Sequence, residues 1–160
     1  MALAACGRAD AEDMGVPRDA LDDSVYEPFA GSKWRSLSEE QWRARLSPAA
    51  FDVLRKEGTE RAGTSPLDKE YGAGTYHCAG CDLPLFTSEK KFDSRTGWPS
   101  FFTHIDGALG MKPDNKLWMT RTEYHCARCI GHQGHVFDDG PPPTGERWCN
   151  NGVALRFVPA

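Results

Sequence analysis

Cys78-Ala79-Gly80-Cys81 and Cys126-Ala127-Arg128-Cys129 decide how this chain folds. Each Cys-x-x-Cys forms a tight knuckle that turns two sulfurs to one side of the backbone. Two knuckles supply four thiolates around a tetrahedral ion, for which zinc is the best fit. The 44 residues between Cys81 and Cys126 exceed the usual zinc-ribbon gap, so an ion here ties two distant parts of one domain together. The rival readings are a pair of redox-active dithiols or two disulfides, and iron also accepts four cysteines. Four cysteines close the coordination shell and leave no position for an activated water. The predicted role is therefore structural, and a zinc hydrolase is excluded.

Outside the quartet stand Cys6, near the start, and Cys149, in Arg147-Trp148-Cys149-Asn150-Asn151-Gly152. Cysteine attacks as a thiolate, and a free thiol with a pKa near about 8.5 is mostly protonated at neutral pH. On a strand Arg147 points to the same face as Cys149, where its charge favours the anion. His132 and His135 are spaced to bracket a polar group and to donate to a developing oxyanion. The plain alternative for Cys149 is a small buried hydrophobe. Gly97-Trp98-Pro99-Ser100-Phe101-Phe102 offers flat apolar surface, suited to a methyl-sized group or simply to core packing.

From Thr75 onward the chain is rich in short β-like runs broken by Gly, Pro and Asp. The expected strands cover 74–77, 116–125, 135–137, 147–150 and 153–158. Asn151-Gly152 reads as a two-residue hairpin turn, which would also explain Asn151 by positive φ. Before them, Ser38 to Gln41 matches a capping box, Ser47-Pro48 restarts a helix, and Gly58 stops it. The fold class expected is mainly β, with small antiparallel sheets and short N-terminal helices. The chain divides into a flexible acidic leader, 1–32, and one catalytic domain, 33–160. Residues 1–30 carry seven acids against two arginines, so the rest of a chain of net charge −4 is about neutral. No basic patch suggests nucleic acid, and no apolar run is long enough to span a membrane. Leu3-Ala4-Ala5-Cys6 resembles the end of a lipoprotein signal, but only five residues precede Cys6. The expected location is cytoplasmic, with export or lipid anchoring reserved for a longer N-terminus.

Taken together, the two Cys pairs, Gly97-Trp98-Pro99-Ser100-Phe101, Gly131-His132-x-Gly134-His135-Val136-Phe137-Asp138-Asp139-Gly140-Pro141 and Arg147-Trp148-Cys149-x-Asn151 closely resemble the methionine-R-sulfoxide reductases, the MsrB family. The likeness spans Trp34 to Val158 with the motifs in the family's order. It implies two small antiparallel β-sheets, one structural zinc ion on Cys78, Cys81, Cys126 and Cys129, and no organic cofactor. It further implies reduction of the R epimer of methionine sulfoxide in oxidised proteins or peptides by a monomer. Cys149 then matches the nucleophile that becomes a sulfenic acid, and His132 and His135 the pair that engages the sulfoxide oxygen. Asn151 matches the asparagine that positions it, Arg147 an arginine near the nucleophile, and Trp98 the residue packing on the ε-methyl.

This chain departs from the commoner pattern at three places. Thr96 stands where many members carry a resolving cysteine; Gln133 and Asn150 stand where apolar residues are usual. The latter two are expected to adjust substrate fit. With Thr96 in that slot, either Cys6 resolves the sulfenic acid or thioredoxin, or another external thiol, reduces Cys149 directly. A flexible segment from Cys6 to Lys33 would span about 30 Å.

Overall fold

A computed structural model describes residues 23–160. Two helices open the domain, α1 (Glu39–Arg45) and α2 (Pro48–Lys56). The Ser38 hydroxyl accepts from the Gln41 amide while the Gln41 side chain accepts from the Ser38 amide, so two orphan donors of α1 are met reciprocally. Ser47 caps α2 ahead of Pro48. Glu57, not Gly58, takes the left-handed conformation that ends α2. Its carboxylate pairs there with Lys112 and Lys116.

Nine strands follow: β1 (Gly74–Cys78), β2 (Pro84–Thr87), β3 (Lys91–Phe92), β4 (Ser100–Phe101), β5 (Leu109–Asp114), β6 (Arg121–Cys126), β7 (His132–Phe137), β8 (Arg147–Asn150) and β9 (Leu155–Pro159). They form a three-stranded sheet ordered β2-β1-β9 and a six-stranded sheet ordered β3-β4-β8-β7-β6-β5. Every pairing is antiparallel. The mainly β class with two antiparallel sheets and few short helices is borne out.

Several expected details are corrected. The strand expected over 116–125 begins at Arg121, because the chain turns between 114 and 121 to pair β5 with β6. Pro113 is tolerated because β5 is the sheet edge. Asn151-Gly152 makes no hairpin. Asn151 is extended at φ −70°, Gly152–Ala154 form a 3-10 turn, and β8 and β9 lie in different sheets. The Asn151 amide is held by the Gln133 carbonyl at 2.9 Å, which carries the chain onward instead of back. Strands β2, β3 and β4, two to four residues long, are too short to show alternation.

Aromatic packing fills the space between the sheets. Phe86 stacks on Phe101 at 4.0 Å, Tyr76 meets Phe101 edge-on at 5.0 Å, and Tyr124 does the same to Trp148. All five are essentially inaccessible, and full burial of such side chains stabilises by about 1.5–3 kcal/mol each. Residues 23–29, read from sequence as part of the leader, form a 3-10 helix against β5. Tyr26 stacks flat on His125 and meets its Nε2 through the phenol at 2.5 Å.

Gly134 lies opposite Asn150 where β7 and β8 pair. A Cβ there would overlap the Cys149 carbonyl, so only glycine lets the two strands close. Gly134→Ala is expected to cost about 1–3 kcal/mol by this overpacking, read as a lowered urea midpoint.

Candidate active site and metal centre

The four cysteines of the two knuckles converge. Cys78 ends β1 and Cys126 ends β6, with Cys81 and Cys129 on the turns that follow. Their Sγ atoms all lie within 4.8 Å of one another, and all four residues are buried. Cys78 and Cys129 are 3.7 Å apart and Cys81 and Cys126 3.4 Å, too far for disulfide bonds of about 2.05 Å. Four sulfurs around an ion at about 2.3 Å would stand roughly 3.8 Å apart, so the spacing fits a metal site. Hydrogen bonds among the thiols push Cys78 well above the ordinary range and hold Cys81 well below it, with burial raising both, as crowded, mutually repelling thiols must share protons. A cation among them relieves that repulsion.

Arginines complete the knot. Arg128 donates to the Cys81 sulfur and carbonyl, Arg35 to the carbonyls of Ala127 and Arg128, Arg45 to Gly80 and Arg55 to Cys129. A divalent ion with four thiolates keeps a net charge of −2, and these guanidiniums surround it. None of the four was singled out by sequence: Arg128 lies within the second knuckle, and the spacing says nothing of which distant side chains, here Arg35, Arg45 and Arg55, return to it.

Cys149 lies on β8 between Ser100 of β4 and His135 of β7, half-buried. It opens on a cavity of about 230 Å³ that Thr96, Trp98, His135, Phe137, Arg147 and Asn151 also line. A neighbouring cavity of about 210 Å³ shares His135, Thr59 and Arg121 with it and adds His132, Glu123 and Asp114. The two histidines therefore do not both line the Cys149 cavity. Their rings meet edge-on at 5.5 Å, with His135 common to both spaces.

Each histidine is oriented by a carboxylate that sequence reasoning missed. His132 Nδ1 meets Glu123 at 2.7 Å, and His125 meets the other oxygen at 3.1 Å. Burial raises the pKa of Glu123, but bonds from the two imidazoles outweigh it and bring it down to about 2. His135 Nε2 meets Asp114 at 2.7 Å. Asp114 likewise ends at about 2, burial being outweighed by His135, the Lys116 amide and Arg121. Burial lowers the pKa of His135, with Asp114 opposing. His132 Nε2 and Arg121 Nε are buried without a hydrogen-bond partner. Both residues line these cavities, and unmatched polar atoms beside a cavity mark where a polar ligand group fits.

Arg147 draws the Cys149 pKa down, as its place on the strand suggested, but it is also engaged elsewhere. It is clamped by Asp139 at 2.8 and 3.1 Å and lies over the Phe137 ring. Burial lifts Cys149 to about 11, against the pull of Arg147 and with a further push from Asp139. Burial thus outweighs the neighbouring guanidinium.

Glu60 braces two walls of the Cys149 cavity. Its carbonyl accepts from Trp98 Nε1 at 3.1 Å, and its amide donates to Asn151 Oδ1 at 3.0 Å. Its carboxylate accepts from the amides of Gly152 and Val153. Gln133 is a correction. Its side chain is absent from both cavities and points into the interior, so it cannot adjust substrate fit directly. Cys6 lies outside the described residues. None of the described helices is long and apolar enough to cross a membrane.

Two antiparallel sheets meeting at four clustered sulfurs that could hold a metal ion, with a separate thiol opening on a cavity of mixed aromatic and polar lining, define a thiol-enzyme scaffold. The SelR domain model matches residues 46–159, and the chain belongs to that family. Among curated relatives, the peptide methionine sulfoxide reductase MsrB of Pseudomonas putida (strain W619) is 54% identical over 121 residues, 75% of this chain and 91% of that protein. Peptide methionine sulfoxide reductase B5 of Oryza sativa subsp. japonica is 48% identical over 131 residues, 81% of this chain and 95% of that protein.

Asp139→Asn removes an anion near Cys149 and frees Arg147, so the thiol pKa should fall. The rate of Cys149 alkylation against pH should follow an apparent pKa above about 9 in the native protein. In the variant that curve should shift to lower pH, with faster labelling at pH 8.

Proposed function

We propose that this protein is a peptide-methionine (R)-S-oxide reductase with Cys149 as its nucleophile. The observation that carries the reading is the division of one cavity. Trp98 and Phe137 offer aromatic surface, while His135, Asn151 and Arg121 offer polar groups, with Cys149 among them. A sulfoxide sulfur is stereogenic, and its methyl and oxygen need chemically different walls if one epimer is to be selected. The names of the relatives support the same reaction.

Cys149 sulfur attacks the sulfoxide sulfur as the thiol proton moves toward the sulfoxide oxygen. His135, backed by Asp114, and His132, backed by Glu123, supply the hydrogen-bonding groups for that oxygen. Asn151 orients it, Arg147 offsets part of the charge on sulfur, and Trp98 receives the ε-methyl. The oxygen ends on Cys149 as a sulfenic acid, methionine leaves, and Cys149 has given up two electrons. Two thiol equivalents, from thioredoxin or a similar reductant, restore the thiol and release water.

Zinc is the ion we assign to the four cysteines, where it ties the ends of β1 and β6 together. It supplies no catalytic position. Free thiols suit a reducing compartment, so we assign the cytoplasm. The substrate is read as methionine sulfoxide carried in a polypeptide, since Leu117, Trp118 and Met119 are exposed between β5 and β6 beside the cavities. So small an apolar patch also agrees with a monomer.

Separated R and S sulfoxide peptides test the reaction. The native protein should reduce only the R epimer, and Cys149→Ser should leave no measurable turnover. Reduction of the S epimer, or activity surviving the substitution, would overturn the assignment. Peptide mapping after one turnover without reductant tests recycling. A Cys6–Cys149 linkage makes Cys6 the resolving thiol, whereas a persistent sulfenic acid assigns reduction to an external thiol.

A further inference from the structure

Gln133 and Asn150 meet in the interior, and both are 0% exposed. Gln133 Nε2 donates to Cys78 Sγ at 3.3 Å, and its Oε1 accepts from Asn150 Nδ2 at 3.0 Å. The same Nδ2 donates to the Asn151 carbonyl at 2.9 Å. The Tyr124 hydroxyl closes the line by donating to Asn150 Oδ1 at 2.8 Å. The knot end is one-directional. A sulfur bound to a metal has only lone pairs to offer, so the Gln133 amino group faces it and the Gln133 oxygen faces Asn150 Nδ2. That leaves Asn150 Oδ1 to accept from the Tyr124 hydroxyl, and the line runs from the knot through β7 and β8 to β6.

Asn150 is the residue between Cys149 and Asn151. Its backbone amide is bound to the Pro99 carbonyl at 2.9 Å, next to Trp98. The backbone carbonyl of Gln133 takes both the amide and the side-chain Nδ2 of Asn151 at 2.9 Å. Gln133 thus touches a metal ligand with its side chain and a cavity residue with its main chain. A merely space-filling polar pair would need neither contact.

We propose that Gln133 and Asn150 are positioning residues that couple the metal centre to the strand bearing Cys149. Gln133 secures the Cys78 sulfur, and Asn150 carries that restraint to the backbone around the cavity. Groups that hydrogen-bond metal ligands commonly alter metal retention by 10–100-fold. Coupling is also reciprocal: a ligand bound more tightly in the presence of the metal must tighten metal binding by the same factor, and slower metal loss is the expected sign of it. The metal half of the proposal is independent of the reductase reading; the cavity half rests on it.

The test uses the full zinc-loaded chain, with zinc release to a chromogenic chelator as the readout. Zinc should leave about tenfold faster from Gln133→Leu and from Gln133→Leu/Asn150→Leu. The double variant should be no more stable to urea than the single one, because it leaves the buried Tyr124 hydroxyl without its acceptor. In a Cys149→Ser background, an R-sulfoxide peptide should slow zinc release, and the effect should vanish when both leucines are added. Gln133→Met, of similar length without the amide, serves for the release measurement if the double variant does not fold. Native release rates in these variants would overturn the metal half. A sulfoxide peptide without effect, or with equal effect in both backgrounds, would overturn the coupling. R-epimer turnover by the native enzyme judges the reductase reading separately.

Discussion

Four thiol groups packed within 4.8 Å at the junction of two sheets repel one another as anions, and the architecture depends on that repulsion being met. A cation at their centre answers it directly. Arg35, Arg45, Arg55 and Arg128 answer the remaining negative charge from outside, each through the knuckles' own carbonyls or sulfur. Because the knuckles terminate β1 and β6, the knot fixes how the small sheet meets the large one. The helices also report to it, since Arg45 belongs to α1 and Arg55 to α2. Electrostatics at one point thus organises helices, sheets and the hairpins that follow.

The site is built on the opposite principle, in which burial keeps a reactive group quiet. Cys149 sits beside a guanidinium, yet burial raises its pKa, and Asp139 engages that guanidinium. The histidine–carboxylate pairs follow similar logic. Glu123 and Asp114 stay ionised despite burial because imidazole protons meet them, and the rings are fixed in return.

Much of this was legible in the residues. The two Cys-x-x-Cys pairs, the helix caps at Ser38 and Ser47 and the mainly β character all follow from local chemistry, and the structure has them. What could not be read were features made by distance in sequence. Glu60, Asp114 and Glu123 look like ordinary surface acids until folding brings Trp98, His135 and His132 to them. The Asn151-Gly152 turn misled because a local preference lost to a tertiary one: the Gln133 carbonyl claims Asn151 and the Glu60 carboxylate claims the two amides after it. The conflict between Arg147 and burial at Cys149 is likewise invisible without knowing how much solvent reaches the sulfur.

Glu60 has a consequence for how the cavity can change over time. One residue grips the indole on one side through its main chain and the asparagine on the other through its amide. Shifting the 57–65 segment moves both surfaces together, so the gap between them behaves as a rigid gauge. A lineage drifting toward bulkier thioethers would find that gauge hard to widen from one side. It would have to rebuild the Glu60 junction first, because that residue holds both walls.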